Sequence, residues 1–146
     1  MNMQIEMRPE SDLLSVHATG EFALEEAKRT FLELMEAVAL YKSKQVLFDG
    51  RTLVGKPKTM ERFYYGEFAA QTVLQYSKRG VSRATQFGYV LREPVLDPRR
   101  FGETVAWNRG VRVKAFSNVE DALKWLGIAP QDPDTASGHS PRFGGA

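Results

Sequence analysis

The chain has 146 residues, of which 42% are hydrophobic, and its formal net charge is +2 at pH 7. This length predicts one domain with a substantial core, and so small a charge does not by itself indicate a nucleic-acid partner. The chain has no cysteine and only two histidines, which excludes disulfides and argues against a histidine-rich metal centre. We expect a cytoplasmic protein, because no apolar run approaches the ~18 residues of a membrane span and the N-terminus lacks a signal-peptide core.

The N-terminal segment predicts an antiparallel β-hairpin. Apolar and polar residues alternate in two short runs, with apolar positions at Met3, Ile5 and Met7 in the first and at Leu14, Val16 and Ala18 in the second. Period-two alternation is typical of a half-buried strand. The turn-forming residues 9–12 make the connection short, so the two strands should pair antiparallel.

Helical and strand patterns alternate after the hairpin. Apolar residues recur at helical spacing over 23–42, and the all-apolar run 46–48 predicts a central strand buried on both faces. The later patterns predict a helix over 59–77 with Thr59 as N-cap, a strand over 84–91, a helix starting at Pro98, an edge strand over 111–115, and a last helix after a capping box of Ser117 and Glu120. The order predicts a single α/β domain over 1–128, with a mixed sheet of four to five strands opened by the hairpin and packed helices. Residues 129–146 are rich in Pro, Gly, Ser and Asp, which predicts a flexible C-terminal tail.

The helix predicted over 59–77 has too many apolar residues for one interface. One stripe contains Met60, Phe63, Ala70 and Leu74, and a second contains Tyr64 or Tyr65, Phe68, Thr72 and Tyr76. Either both stripes lie in the core, or the second stripe meets a partner subunit or an apolar ligand, because tyrosine suits a surface with one wet end. Glycine at position 66 costs about 1 kcal/mol relative to alanine in a helix, so we expect another segment to approach closely there.

Basic residues gather in three segments that should meet at the carboxyl ends of the parallel strands, where open α/β sheets bind ligands. The segments are 49–59, 92–97 and 98–101, and two helix N-termini would offer free N–H groups beside them. The candidate anion or ligand rim consists of Arg51, Lys56, Lys58, Thr59, Arg92, Arg99 and Arg100. The alternative is a solvated basic rim without a ligand, since residues 50–58 lack the pattern of a phosphate-binding loop.

Four short strings in this order of elements resemble the STAS-like superfamily, and more narrowly the SpoIIAA-like group, which is also grouped with the CRAL-TRIO lipid-transfer fold. The strings are VLFD at 46–49, TMERF at 59–63, NRG at 108–110 and ALKWL at 122–126. The resemblance covers residues 1–128. It implies a small domain of four or five strands with packed helices, and a role in binding or regulation rather than catalysis.

The resemblance also implies a place for a regulatory phosphate. The anti-sigma-factor antagonists of this superfamily carry a phosphorylatable serine in a Ser-Gly motif, at the start of the helix that follows the central strand. Thr59 holds about that place here, but the longer basic loop 50–58 departs from the motif and argues against a kinase-controlled switch. The chain also lacks the extra helices that build the lid of CRAL-TRIO domains.

We therefore expect a non-catalytic binding or regulatory module that acts on a protein partner or on itself, with a homodimer through the aromatic helix as the favoured form. One alternative is a carrier or sensor of a small amphipathic or anionic ligand such as a lipid, for which a closed apolar cavity would be the sign. The other is an unrecognised enzyme that uses Asp49 and nearby arginines, although no histidine or cysteine lies near Asp49 in sequence to complete an acid–base pair. No catalytic residue, cofactor or metal is assigned, and the scattered basic residues argue against a nucleic-acid partner.

Overall fold

The computed structural model describes residues 2–128, and the tail predicted over 129–146 lies outside the described residues. The elements in chain order are β1 (Gln4–Glu10), β2 (Leu13–Thr19), α1 (Leu24–Tyr41), β3 (Gln45–Gly50), α2 (Thr59–Ser77), β4 (Gln86–Leu91), α3 (Phe101–Asn108), β5 (Arg112–Phe116) and α4 (Val119–Leu126). The predicted order of strands and helices is confirmed.

The five strands form one mixed sheet in the order β1-β2-β3-β4-β5. β1 pairs antiparallel with β2, and the three remaining pairings are parallel. One row of neighbouring residues crosses the parallel part of the sheet, in the order Val16, Phe48, Tyr89 and Ala115. The α/β class, the opening hairpin and the central position of β3 are therefore confirmed.

Helices α1, α2 and α3 pack on one face of the sheet, and α4 packs on the other. On the α4 side, a Cβ added at Gly88 would lie 3.4 Å from Cδ1 of Leu126. Leu47, the β3 neighbour of Gly88, is only half-buried, whereas Val46 and Phe48 on the opposite face are buried. The prediction that residues 46–48 are buried on both faces is therefore wrong for Leu47, because the short helix α4 covers only part of its face.

The start of α2 differs from the sequence prediction by one residue. Lys58 is the N-cap and Thr59 is the first helical residue. The Lys58 backbone N–H donates to the Glu61 carboxylate at 2.7 Å. Glu61 is thus the N3 residue of a capping box at Lys58, whereas a cap at Thr59 would have placed Arg62 at N3, which cannot accept the N-cap N–H.

The start of α3 lies three residues later than predicted. The Asp97 carboxylate accepts hydrogen bonds from the backbone N–H groups of Arg99 and Phe101, at 3.0 and 2.8 Å, and Arg100 adopts a left-handed conformation with φ of 56°. The Asp97 side chain therefore stabilises a turn before the helix instead of capping a helix at Pro98. Burial would raise the pKa of Asp97, but the hydrogen bonds from these two N–H groups lower it below its ordinary value.

Two other boundaries also shift. Asn118, not Ser117, is the N-cap of α4, and its side chain accepts a hydrogen bond from the Asp121 backbone N–H at 2.9 Å. The capping box predicted for Ser117 and Glu120 is wrong by one residue. We predicted a turn over residues 9–12, but the observed turn consists of residues 11 and 12 only, because β1 continues through Glu10.

Candidate functional site

The structure brings together the loop after β3, the loop after β4 and the start of α2. The Arg62 guanidinium donates to the backbone carbonyls of Pro94 and Val95, at 2.7 and 2.9 Å, and so attaches the second loop to α2. Leu53 and Pro57 of the first loop line the same cavity as Val95. Arg62 was not among the predicted rim residues, although its position one turn into α2 places it within reach of both loops.

Asp49 and Arg51 form a closed ion pair at the end of β3. The Arg51 side chain donates to both carboxylate oxygens of Asp49, at 3.0 and 2.8 Å, and its backbone N–H donates to one of them at 3.1 Å. Hydrogen bonds from Arg51 lower the pKa of Asp49, despite the opposing effect of burial, and Asp49 raises the pKa of Arg51. Asp49 therefore stays ionised at neutral pH. Within residues 2–128, no group of three or more His, Cys, Asp or Glu residues is placed to hold a metal ion.

The remaining rim residues divide by their partners. Arg100 is half-buried, donates to the Asp97 carbonyl at 2.9 Å, and lies 4.0 Å from the Glu103 carboxylate. Thr59 is exposed at the start of α2. Four exposed basic side chains form no ion pair with any residue in the described part of the chain, namely Lys56, Lys58, Arg92 and Arg99.

The residues proposed from sequence as a partner or ligand surface point in different directions. Only Tyr64 has an exposed side chain, with 45% of its surface accessible. The Tyr65 ring makes an edge contact with Phe31 of α1, and Phe68 is half-buried with Lys28 Nζ 5.5 Å from its ring centre. Because Tyr65 and Phe68 pack towards α1 and the sheet, they do not form one outer stripe with Tyr64.

Tyr76, the fourth proposed surface residue, is only 6% exposed. Its hydroxyl donates to the Glu36 carboxylate of α1, and the Arg79 guanidinium lies 4.6 Å from its ring centre. Hydrogen bonds from Arg79 and Tyr76 lower the pKa of Glu36. Tyr76 therefore links α2 to α1 inside the domain.

A different set of apolar side chains is exposed at the start of α2. Met60 is 54% exposed, Tyr64 is 45% exposed, and Phe101 at the start of α3 is 37% exposed. The half-buried Phe63 joins them, because its ring centre lies 5.6 Å from that of Tyr64 and 6.3 Å from that of Phe101. We call Met60, Phe63, Tyr64 and Phe101 the α2 patch.

The two glycines at the crossing of α2 and α3 bring these helices into backbone contact. A Cβ added at Gly66 would lie 2.6 Å from the carbonyl oxygen of Gly102, and a Cβ added at Gly102 would lie 3.0 Å from the carbonyl oxygen of Arg62. The close approach that we predicted at Gly66 is therefore confirmed. The crossing fixes Phe101 beside Phe63 and so positions the α2 patch.

A cavity of about 140 Å³ lies beneath α2, on the inner face of the sheet. Its wall is mainly apolar and aromatic, and includes Phe31 of α1, Tyr65, Gly66 and Ala69 of α2, Phe48, Phe87, Tyr89 and Leu91 of the sheet, and Ala106 of α3. Four charged residues also line it, namely Arg62, Asp97, Arg100 and Glu103. No single sequence pattern predicts this cavity, because its wall combines residues from six elements.

The Tyr65 and Tyr89 hydroxyls are hydrogen-bonded to each other in the wall of the cavity, at 2.8 Å. Tyr89 is 9% exposed and its ring stacks on Phe48, with 4.5 Å between the ring centres. Burial raises the pKa of Tyr65 to about 12 and raises that of Tyr89 well above its ordinary value. Both phenols therefore remain protonated at neutral pH.

No family model and no curated protein matches the chain. Its fold does match solved structures. An anti-sigma factor antagonist from Mycobacterium paratuberculosis aligns over 86% of this chain and 95% of its own, with a TM-score of 0.54 and 15% identity. The anti-sigma factor antagonist SpoIIAA in its unphosphorylated form aligns over 87% of this chain and 100% of its own, with a TM-score of 0.53 and 8% identity.

The chain has a SpoIIAA-like, STAS-like fold. An uncharacterised protein with a SpoIIAA-like fold from Shewanella loihica PV-4 aligns over 86% of this chain and 94% of its own, with a TM-score of 0.49 and 20% identity. The fold implied by the sequence resemblance is confirmed. At these identities the similarity establishes the fold, so the function has to be argued from the site.

Proposed function

We propose that this SpoIIAA-like domain is a non-catalytic regulatory module that binds another protein through the α2 patch. The observation that carries the proposal is the group of exposed aromatic and methionine side chains at the start of α2. The proposal is supported by the fold, because the two anti-sigma factor antagonists are by name proteins that act on a protein regulator. It is also supported by Asp49, whose carboxylate accepts its side-chain hydrogen bonds from Arg51, whereas His17 on the neighbouring strand contributes an electrostatic interaction and no hydrogen bond.

The α2 patch has the composition of a protein-binding surface. Single exposed apolar residues are normal on a protein surface, whereas contiguous groups of them are a common feature of interaction sites. Aromatic residues and methionine are enriched at the centres of protein interfaces. The Gly66–Gly102 crossing supports the patch rigidly from below, so binding would need little ordering of the backbone.

The charges near the α2 patch favour an acidic partner. Lys58 immediately precedes α2, and Lys56, Arg92 and Arg99 lie in the loops at the same end of the sheet without ion-pair partners in the described chain. Exposed basic side chains near a binding surface accelerate association with an acidic partner, and this effect weakens as salt is added. Two copies meeting through this surface would bring their basic residues together, so we favour a different protein over a homodimer. A homodimer and a cytoplasmic location stay predictions. Among residues 2–128, none of the helices combines the length and the hydropathy of a membrane span.

Two substitutions on α2 test the proposed surface. Tyr64 and Leu74 are equally exposed, at 45% each, and lie ten positions apart on the same helix. We expect a partner protein captured from cell extract by the parent chain to be captured equally by Leu74→Glu and lost with Tyr64→Glu. Equal loss with both variants, or equal retention by both, would contradict the proposed surface. Light scattering of the parent chain, with a mass of 16.5 kDa, tests the homodimer in the same preparation.

The cavity supports a second function, and we propose that the domain also carries or senses a small apolar molecule. A cavity beneath the aromatic helix is the feature expected of such a carrier, and the wall of this one is mainly apolar. Native mass spectrometry of protein purified without denaturant should show added mass that is lost on denaturation. The mass of the bare chain alone, together with no stabilisation by any small apolar compound, would contradict this function.

A further inference from the structure

We propose that the cavity between α2 and the sheet binds a compact, neutral aromatic molecule with one hydrogen-bond acceptor, and that the Tyr65–Tyr89 hydroxyl pair donates to that acceptor. The inference rests on the proposed carrier function and specifies its ligand. It follows from the donors in the cavity wall, from the volume of the cavity and from the state of the charges that line it.

The hydroxyl pair contains one more donor than the domain uses. Two phenols carry two O–H groups, and their mutual 2.8 Å hydrogen bond uses one of them. The second O–H has no acceptor among the described residues. Tyr89 is 9% exposed and Tyr65 is half-buried, so bulk water has limited access to that donor, and a buried donor without an acceptor is destabilising. Burial raises the pKa of both phenols, so the donor is present across the physiological pH range.

The volume limits the ligand to about one ring. At about 140 Å³ the cavity is close to the ~150 Å³ of an apolar cavity that binds benzene, and it is smaller than the ~300–1,000 Å³ of pockets for drug-sized ligands. A lipid with a long acyl chain would therefore extend out of the cavity into solvent. The stacked Phe48 and Tyr89 rings, with Phe31 and Phe87 beside them, provide flat contacts that suit an aromatic molecule.

The charged groups in the wall already have partners, which favours a neutral ligand. Arg62 donates to two backbone carbonyls, and Arg100 donates to the carbonyl of Asp97. The Glu103 carboxylate accepts the Ala115 backbone N–H at 2.7 Å. A charged ligand would have to displace these bonds, whereas a neutral acceptor needs only the free phenolic O–H.

The test compares two probes of similar shape, acetophenone and α-methylstyrene. Acetophenone has a carbonyl oxygen that can accept a hydrogen bond, and α-methylstyrene has a CH₂ group in its place. Affinities for the full chain are measured by NMR titration. We expect acetophenone to bind about three- to tenfold more tightly, which is the value of one hydrogen bond. The preference should persist in Tyr65→Phe and in Tyr89→Phe, because either single variant keeps one O–H, and it should disappear in the double variant.

The outcomes distinguish the inference about the hydrogen-bond acceptor from the proposed carrier function. Equal affinity for the two probes in the parent chain would overturn the acceptor inference and leave the carrier function standing. Binding of neither probe, up to its solubility, would overturn the inference, and native mass spectrometry would then decide the carrier function separately. Ala69→Leu should fill the cavity and abolish binding of both probes, and binding unchanged in a folded Ala69→Leu chain would place the probes elsewhere and overturn the inference. If that variant does not fold, the double tyrosine variant, which keeps the shape of the cavity wall, still decides the question.

Discussion

Replacing Gly66 by alanine tests whether the backbones of α2 and α3 are in contact at the base of the α2 patch. The added Cβ would lie 2.6 Å from the Gly102 carbonyl oxygen and 3.3 Å from Cβ of Val105. The nearest atom belongs to the backbone, so no side-chain rotation relieves the overlap. Helix α3 must shift away from α2, or α2 must bend.

The expected cost follows from two opposing terms. Overpacking a close contact costs about 1–3 kcal/mol, and the upper value applies here because the contact is with backbone. Alanine is about 1 kcal/mol more favourable than glycine inside a helix. The net effect of Gly66→Ala is therefore a loss of about 2 kcal/mol of unfolding free energy, or roughly 4–8 °C in Tm.

Urea unfolding followed by circular dichroism measures this difference. Gly102→Ala serves as a graded control, because its Cβ would lie 3.0 Å from the Arg62 carbonyl oxygen and should cost less. The double variant should cost less than the sum of the two single variants, since one displacement of α3 relieves both contacts. An increase in stability of about 1 kcal/mol for Gly66→Ala, as helix propensity alone predicts, would refute the close crossing.

Two predictions concern ionisation. Arg51→Ala should raise the pKa of Asp49 towards its ordinary value, as measured by NMR titration, and an unchanged Asp49 titration would contradict the ion pair. The pKa of Asp49 is lower in the folded chain than in the unfolded chain. The ion pair therefore stabilises the fold at pH values above the unfolded pKa, and this stabilisation is lost as the pH falls through the folded pKa. The parent and the Arg51→Ala variant should therefore have similar unfolding free energies in acid. Burial raises the pKa of Tyr65 and Tyr89, so their contribution is present below the unfolded phenol pKa and is lost as pH rises. Neither phenol should ionise before the protein unfolds in base. A near-ultraviolet titration of the folded chain measures tyrosine ionisation. If the ionisation signal of the folded parent chain were larger than that of the folded double Tyr→Phe variant, Tyr65 or Tyr89 would be ionising in the folded state, which would contradict their burial.

The element order could be predicted from the sequence because each element has its own periodicity and stop signal. The alternation of Leu14, Val16 and Ala18 placed β2 correctly, and all three residues are buried. Gly66 predicted a close approach because a mid-helix glycine needs a compensating reason. The caps were less predictable, because adjacent residues offered equally good candidates. The Lys58 backbone N–H is paired by the Glu61 side chain, whereas the Asn118 side chain accepts the Asp121 backbone N–H.

The direction of the aromatic side chains on α2 could not be predicted from periodicity. Helix α2 packs against α1 on one side, α3 on another and the sheet beneath, so inward-facing residues cover most of its circumference. Tyr65 and Tyr76 satisfy their hydroxyls on Tyr89 and Glu36, which are distant in sequence. Tyr64 is exposed because it points between these contacts, and only the packing of the neighbouring helices decides this.

Site-specific photocrosslinking in cells is the most direct test of the proposed interface. The photoreactive amino acid p-benzoylphenylalanine replaces Tyr64 in one chain and the equally exposed Leu74 in a control chain. We predict one dominant adduct with a different, acidic protein from the position of Tyr64 and no such adduct from that of Leu74. The same adducts from both positions, or none from the position of Tyr64, would contradict binding through the α2 patch. An adduct with a second copy of the chain would retain the interface but contradict the acidic partner.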